Sequence, residues 1–303
     1  MAKPIHQMTI KQWEAAFPTE EACAAYLIRH RWPLGVICPR CGNPEVKPHG
    51  TIPNCWLCNQ CSPSGTNYRF SHIAGTVFEN TNKPLRDWFR VLHMMVTSKK
   101  GVSALQVFRT MGFGSYKTAH YMCHRLRAAM QDKDFLAMTG IVELDETFIG
   151  GKTNNKHKDK RGRGRGPGGG TGGKAVVVGA IQRSKKNVVA RVIERADFRC
   201  VAAFVRQTID SKVSLLATDQ AKYYRALDDE YVRASVDHSM GEYVVGAIHT
   251  NTIEGFWSLL KRGVVGTFHK VSPKYLPLYV AEFCFRYNNR ENEDIFGAAV
   301  SGC

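Results

Sequence analysis

Three polar side chains in one segment are spaced for chemistry on a phosphate-containing substrate. The segment HTNTIEGFWSLLKR, residues 249–262, places Asn251, Glu254 and Lys261 three and then seven positions apart. Read as a helix, it puts all three on one side of the cylinder. Apolar residues recur at helical spacing on the neighbouring side: Ile253, Phe256, Trp257 and Leu260. A carboxylate on such an edge can hold a divalent cation and an ammonium can hold a phosphate, although an ordinary amphipathic helix has the same pattern.

Acidic residues also cluster in a predicted strand, IVELDETFI at residues 141–149. Period-two alternation puts Glu143, Asp145 and Thr147 on one face and Glu146 on the other. Three acids in four positions are costly in a strand unless they serve a cation or face solvent. The strand is therefore a second candidate source of cation ligands.

Asp219 follows a short apolar strand predicted at residues 213–217. Open α/β sheets bind ligands at the carboxyl ends of their strands, but residues 220–227 have helical composition, so a helix cap is a competing reading. Acids on an early strand, at the end of a later strand and on a following helix can converge on one site. Two-metal phosphoryl transfer uses such a set, and hard oxygen ligands favour two Mg²⁺ or Mn²⁺ ions.

Cysteines are crowded into one short stretch and form a predicted metal site. Cys38-x-x-Cys41 and Cys58-x-x-Cys61, with 16 residues between the pairs, have the spacing of a tetrahedral zinc site. Cys55 could pair with Cys58 instead, but the gap favours Cys58 and Cys61. Four protein ligands leave no open position for chemistry, so one structural Zn²⁺ ion is predicted.

The charge balance favours a polyanionic partner. The 303-residue chain carries a formal net charge of +16, with 42 Lys and Arg against 26 Asp and Glu. Nucleic acid is the usual partner of such a chain, and an anionic membrane surface is the alternative. The sequence contains no run of about 18 apolar residues and no apolar signal-peptide core at its start, so a cytosolic protein without membrane segments is predicted.

Two regions are candidates for contact with DNA. Helices predicted at residues 84–95, 102–111 and 116–130, with a Gly-containing turn before the last, have the outline of a helix-turn-helix. A plain three-helix core fits this pattern nearly as well. Residues 152–174 are mostly Lys, Arg and Gly and suit either phosphate binding or an inert linker. The candidate DNA-binding residues are Lys160, Arg161, Arg163, Arg165, Arg125 and Arg262.

Several of these motifs together resemble zinc-ribbon DDE-type insertion-sequence transposases of bacteria. VELDETFIGGK, LLATDQAKYY and HTNTIEGFWSLLKRG carry the resemblance, and the cysteine pairs, GTVFENTNKPL and AEFCFRYNNR extend it over most of the chain. It implies an α/β ribonuclease H-like catalytic domain, a mixed sheet flanked by helices, at residues 138–303. It also implies a zinc ribbon within residues 1–80 and a helix-turn-helix-like region at 81–137.

The resemblance also implies an activity and a role for each residue. The expected reaction is 3′-end cleavage and strand transfer at terminal inverted repeats. The protein is expected to act as a homo-oligomer bound to element and target DNA. It is expected to be cytoplasmic, and associated with the nucleoid when bound to DNA. Asp145 and Asp219 correspond to metal ligands, Glu254 to the third acid and Lys261 to a contact with substrate phosphate. Asn251, one turn before Glu254, stays open as a ligand or a supporting group.

We interpret Glu143 and Glu146 as neighbours of the site rather than ligands.

Two other functions are also compatible with these residues. A DNA-binding regulator, with zinc ribbon and helix-turn-helix but no catalysis, would make the acids structural. A ribonuclease H-like nuclease that cuts without joining is the other alternative.

Overall fold

The computed structural model describes residues 9–61, 68–131, 136–151, 174–236 and 249–303. The chain divides into two compact units. The first comprises Met1–Gln131 with Glu291–Cys303, and the second Asp132–Arg290. Among the described residues, no helix is both long and apolar enough to cross a membrane.

The first unit begins with two short helices, α1 (Ile10–Ala16) and α2 (Glu20–Arg31), where the sequence predicts helical segments. Thr9 and Gln12 form a reciprocal capping box at the start of α1. The Thr19 hydroxyl accepts a 3.3 Å hydrogen bond from the Ala22 amide at the start of α2. Polar side chains thus fix the beginning of both helices.

A three-stranded antiparallel sheet follows, in the order β1-β2-β3: β1 (Val46–Pro48), β2 (Cys55–Cys58) and β3 (Tyr68–Ser71). Its small core is aromatic. The ring of Trp56 lies 5.5 Å from Trp32 and 6.0 Å from Phe70, centroid to centroid. This core is too small to fold on apolar burial alone, as expected for a zinc ribbon.

The four predicted cysteines come together beside this sheet. Their sulfur atoms all lie within 4.8 Å of one another, with Cys38 and Cys61 at 3.8 Å and Cys41 and Cys58 at 3.6 Å. Cys55 is three positions before Cys58 on the same strand and therefore points to the opposite face. Cys38, Cys41, Cys58 and Cys61 therefore form one four-cysteine cluster that fits a structural Zn²⁺ ion.

Three helices form the next part of the first unit: α3 (Leu85–Thr97), α4 (Ala104–Met111) and α5 (Tyr116–Ala129). Gly112 ends α4 with φ at +64°, and Ser115 caps α5 by accepting a 3.2 Å hydrogen bond from the Lys117 amide. The helix, turn and helix predicted from sequence are therefore present. Their contact with DNA stays a prediction.

The last helix of the chain, α9 (Ile295–Ser301), packs in this first unit. Its Phe296 is fully buried and lies 5.2 Å from the ring of Phe89 and 5.6 Å from that of Phe17. The sequence-based division instead placed residues 291–303 with the catalytic region. Burial of Phe296 accounts for this difference, and the three-domain division stays a prediction.

The second unit is built on a five-stranded mixed sheet in the order β6-β5-β4-β7-β8. Its strands are β4 (Ile141–Ile149), β5 (Ala175–Gln182), β6 (Asn187–Ile193), β7 (Leu215–Asp219) and β8 (Arg233–Val236). β6, β5 and β4 are antiparallel neighbours, whereas β4, β7 and β8 run parallel. The central strand is β4, which carries the predicted acids.

Helices cover both faces of this sheet: α6 (Phe198–Thr208), a 3₁₀ helix (Lys222–Leu227), α7 (Asn251–Gly266) and α8 (Leu276–Asn288). Leu144 and Leu216 are buried with α6 and the 3₁₀ helix on one face. Val177 and Ile181 are buried with α7 and α8 on the other. The predicted fold class, a mixed sheet flanked by helices, is confirmed and is consistent with a ribonuclease H-like fold.

Two local features differ from the sequence-based expectation. β7 continues through Asp219, so this acid is the last residue of the strand, whereas the predicted strand ends two residues earlier, at Ala217. Arg233–Val236 forms an edge strand, although the acidic and aromatic composition of residues 228–243 predicts only a connection there. This strand is held by backbone pairing with β7, residue for residue from Leu216 to Asp219. The polar composition of the segment does not indicate this pairing.

Cys58→Ser is expected to remove zinc and unfold the ribbon, because structural zinc binding is coupled to folding. Cys55→Ser is the matched control, since it removes a thiol from the same strand but from the opposite face. Zinc content after dialysis should fall below one ion per chain only for Cys58→Ser. Loss of zinc in Cys55→Ser as well would instead support the other register, because Cys55 and Cys58 are both ligands there.

Candidate active site

Asp145 and Asp219 lie on adjacent parallel strands at the same level. Glu143 of β4 is opposite Ala217 of β7, and each acid is two residues further along its own strand. Neighbouring strands are about 4.8 Å apart, so the two carboxylates leave the sheet side by side. This is the carboxyl end of β7, where open α/β sheets bind ligands.

Asp145 is partly buried and oriented by a tryptophan. Its Oδ2 accepts a 2.9 Å hydrogen bond from the indole Nε1 of Trp257 on α7, which we call the site helix. A side chain at Gly179 would collide with that indole, because a Cβ atom there would lie 2.6 Å from the Trp257 ring. Glycine at position 179 therefore allows the site helix to approach the sheet closely.

The pKa of Asp145 reports on its acidic surroundings. Burial raises the pKa most, and the charges of Asp219 and then Glu254 raise it further. The hydrogen bonds from the Glu146 backbone amide and from Trp257 lower it in part, so that the pKa reaches about 6. All three predicted acids therefore lie close enough to interact electrostatically. A divalent cation among them would relieve this repulsion.

Asp219 has a structural role as well as its place in the site. Its Oδ1 accepts a 3.0 Å hydrogen bond from the Ala221 amide, which starts the turn into the 3₁₀ helix. The side chain therefore closes the turn before the 3₁₀ helix and does not cap the helix itself, whose N-cap residue is Ala221. One carboxylate oxygen makes the turn.

The 3₁₀ helix returns two tyrosines to β4. The hydroxyl groups of Tyr223 and Tyr224 donate to Oε1 and Oε2 of Glu146, respectively. Burial, followed by the charges of Asp219 and Asp145, raises the pKa of Glu146 to about 7, although the Tyr224 hydrogen bond acts to lower it. Glu146 thus lies next to the acidic site, with each of its oxygens bound by a tyrosine.

Glu143 is fully buried and caps the site helix from the sheet. Its Oε2 accepts from the backbone amides of Thr252 and Ile253 at 2.9 and 3.0 Å. Its Oε1 accepts from the Thr252 hydroxyl at 2.8 Å and from Arg183 Nε at 2.6 Å. A carboxylate in this position satisfies helix N–H groups and interacts favourably with the helix dipole.

Arg183 extends this contact to the residues before the helix. Its Nη2 donates a 2.6 Å hydrogen bond to the backbone carbonyl of His249, and its Nε pairs with Glu143. The His249 imidazole Nδ1 also lies 3.2 Å from Glu143 Oε1. Both the entry to the site helix and its first turn are therefore attached to β4.

The site helix places the remaining predicted residues along one exposed edge. Glu254 Oε1 accepts a 3.0 Å hydrogen bond from the hydroxyl of Thr250, the N-cap residue, whose side chain makes no capping hydrogen bond to the helix backbone. Asn251 is the first helical residue, and Lys261 is seven positions beyond Glu254, about 10 Å along the axis. The charge of Glu254 therefore acts on Asp145, and Asn251 and Lys261 lie before and after Glu254 on the helix.

The predicted DNA-binding residues are differently placed. Arg262 is exposed on the site helix. Arg125 Nη1 donates to the Glu79 carbonyl at 3.0 Å and to the Tyr121 hydroxyl at 2.8 Å, so this guanidinium also has a structural role in the first unit. Lys160, Arg161, Arg163 and Arg165 lie outside the described residues.

Sequence reasoning missed the contacts that support the three acids. One signal was available for Trp257, because a buried indole N–H usually needs an acceptor and Asp145 was a candidate. No sequence pattern linked Glu143 to the amides of the site helix or Glu146 to Tyr223 and Tyr224. These pairs are separated by 77 to 110 positions and meet only in the folded sheet.

Comparisons with known proteins match both parts of this architecture. Residues 137–288, just over half of the chain, match the ISXO2-like transposase domain, and residues 18–64 match the transposase zinc-ribbon domain. A Halobacterium salinarum relative, described as an uncharacterized protein in transposable element ISH50, is 28% identical over 285 residues, which are 89% of this chain and 91% of the relative.

The solved structures matched at low similarity include the cryo-EM structure of a simian T-cell lymphotropic virus intasome in complex with PP2A regulatory subunit B56 gamma. The match is 12% identical, with a TM-score of 0.29 over 65% of each chain.

The raised pKa of Asp145 leads to a prediction for the metal-free protein. Between its ordinary pKa of 3.8 and about 6, the folded state binds more protons than the unfolded state, so this residue lowers stability as pH rises. Asp145→Asn should therefore increase the free energy of unfolding by about 3 kcal/mol at pH 8 and by about half of that at pH 5.

Urea titrations without added Mg²⁺ or Mn²⁺ would measure this difference. Glu194→Gln is the matched control, because it neutralises an acid whose side chain is 80% exposed. It should change stability little at either pH. An equal effect of Asp145→Asn at both pH values would contradict the assigned electrostatic cause.

Proposed function

Because the chain belongs to the ISXO2-like transposase family, we propose that it cleaves the 3′ ends of an insertion sequence and joins them to target DNA with two divalent ions. The grouping of Asp145, Asp219 and Glu254 carries this proposal. Two acids on parallel neighbouring strands and a third on a helix docked against that sheet supply carboxylate oxygens, the ligands that Mg²⁺ and Mn²⁺ prefer.

In the proposed reaction the three carboxylates hold the ions. When bound, two ions of this kind activate the attacking oxygen and stabilise the leaving oxygen. Asp145 accepts from Trp257 through Oδ2 and also from the Glu146 backbone amide, while Asp219 accepts from the Ala221 amide through Oδ1. The remaining lone pairs of the two carboxylates are the proposed cation ligands.

Glu254 is the preferred third ligand. Its charge contributes to the raised pKa of Asp145, which supports its proximity to the pair. A carboxylate also neutralises cation charge better than the amide of Asn251. Asn251, one turn earlier on the same exposed edge, is proposed as a supporting group.

DNA is the proposed partner. The net charge of +16 favours a polyanion, and Lys261 with Arg262 places two exposed cations further along the helix that carries Glu254. We propose that Lys261 contacts a substrate phosphate, and that Arg125 and the basic residues of 152–174 contribute elsewhere on DNA. Pairing two element ends would require at least two protomers.

A DNA-binding regulator is the second candidate. The zinc ribbon and the helix-turn-helix outline of α4 and α5 favour it, because both are frequent in proteins that only bind DNA. It would bind DNA tightly without metal-dependent strand breakage. A nuclease would break strands without forming joined products.

The cleavage assay uses a labelled duplex that carries the DNA flanking the protein's own gene, with Mg²⁺ or Mn²⁺ added. The wild-type protein should produce nicked and joined strands. Asp219→Asn should reduce both products to the metal-free background, because it replaces a charged ligand, while DNA binding persists. Glu254→Ala should do the same, and Asn251→Ala should leave measurable product.

Glu194→Gln, the exposed acid used above, is the control and should cleave as the wild type does. Nicking that survives Glu254→Ala but not Asn251→Ala would reverse the assignment of the third ligand. Binding without any nick in the wild type would favour the regulator, and nicks without joined strands would favour the nuclease.

Lys261→Ala tests the phosphate contact separately from catalysis. Loss of one phosphate contact should weaken DNA binding and reduce the slope of log K against log salt by about one. Lys212→Ala, which removes an exposed lysine in the turn after α6, is the matched control. An unchanged salt slope in Lys261→Ala would place this lysine away from the DNA.

A further inference from the structure

We infer that Glu143 and Glu146 are positioning residues, which hold the two elements that bring Glu254 and Asp219 to Asp145. This inference rests on the proposed function of the acidic site. The three acids of β4 would then have three different tasks. Asp145 faces the cations, and its neighbours attach the site helix on one face of the sheet and the 3₁₀ helix on the other.

Glu143 fixes the start of the site helix. Its carboxylate receives four hydrogen bonds, from two backbone amides, one hydroxyl and Arg183. A carboxylate offers about four acceptor positions, so this group has none left for a cation. Glu254 is one residue beyond the second bonded amide, that of Ile253, and its backbone position follows directly from this attachment.

Glu146 fixes the turn that carries Asp219. Tyr223 and Tyr224 each bind one of its oxygens, and both tyrosines belong to the 3₁₀ helix that begins just after Asp219. Tyr224 is fully buried, which limits the alternatives open to its hydroxyl. The Asp219 side chain is bonded to the Ala221 amide within the same turn, so a shift of this helix would move the acid.

The metal that supports the reaction can distinguish positioning from general stability. Mg²⁺ requires near-ideal octahedral geometry, so a displaced ligand should reduce activity with Mg²⁺ more than with Mn²⁺, which tolerates distorted coordination better. A variant that only lowers stability should reduce both activities equally. The ratio of cleavage with Mn²⁺ to cleavage with Mg²⁺ therefore reports on the site geometry.

Two mild variants avoid removing a buried charge. Thr252→Val deletes the hydroxyl that donates to Glu143, and Tyr224→Phe deletes one donor to Glu146. Each should lower cleavage with Mg²⁺ by about 10- to 100-fold and raise the ratio of Mn²⁺ to Mg²⁺ activity. Thr252→Ser keeps the hydroxyl and should restore the wild-type ratio.

Thr147→Val is the matched control. Thr147 lies on β4, on the face that also carries Glu143 and Asp145. Thr147 is 2% exposed, and within the described part of the chain its hydroxyl has no hydrogen-bond partner. This variant should keep the wild-type ratio. Wild-type ratios in both Thr252→Val and Tyr224→Phe would overturn the inference, as would a changed ratio in Thr147→Val of the same size.

Binding of Mn²⁺ alone, measured by electron paramagnetic resonance, separates this inference from the proposed function. A wild-type protein that binds Mn²⁺ but cuts no DNA would contradict the proposed function only. Weaker Mn²⁺ binding in the two variants would then still support the positioning roles. A wild-type protein that binds no Mn²⁺, or variants that bind it as the wild type does, would overturn them.

Discussion

The arrangement of the site depends on one buried carboxylate. Glu143 is fully buried in the central strand, and burial of an isolated charge is too costly for a folded domain to sustain. The backbone amides at the start of the site helix and the guanidinium of Arg183 compensate the buried charge of this carboxylate. Buried ion pairs are weak evidence for stability. In our account, the benefit of this pair is geometric, because satisfying Glu143 sets where the site helix begins.

The alternation of β4 extends that constraint to both faces of the sheet. Glu143 and Asp145 face the site helix, while Glu146 faces the 3₁₀ helix that follows β7. The side chains of β4 therefore set the positions of both the site helix and the 3₁₀ helix. Trp257 adds a second contact between the site helix and β4, two turns beyond Asn251, and Gly179 leaves room for its ring. Mutual repulsion among the acids is retained at a site where a cation would relieve it, as is common in functional sites.

Sequence alone predicted much of this architecture, for physical reasons that differ between its parts. The cysteine pairs predicted the ribbon because zinc ligation requires short, fixed spacings, and the geometry of β2 explains why Cys55 is not in the cluster. Periodicity predicted the faces of β4 and of the site helix. It could not predict β8, whose order comes from pairing with β7, or the packing of Phe296 in the first unit. The roles of Asp145, Asp219 and Glu254 remain predictions. The structure adds that the two aspartates are on adjacent strands and that the charge of Glu254 acts on Asp145.

The most direct test of the central claim, that β4 gathers three carboxylates around divalent cations, is the position of the ions themselves. Crystals of the protein soaked in Mn²⁺ would locate them by anomalous scattering. The account predicts manganese peaks about 2.0–2.3 Å from carboxylate oxygens of Asp145, Asp219 and Glu254, with Glu143 and Glu146 keeping their hydrogen bonds. Manganese bound directly to Glu143 or Glu146, or its absence from Asp145 and Asp219 in a soak that fills other sites, would contradict it.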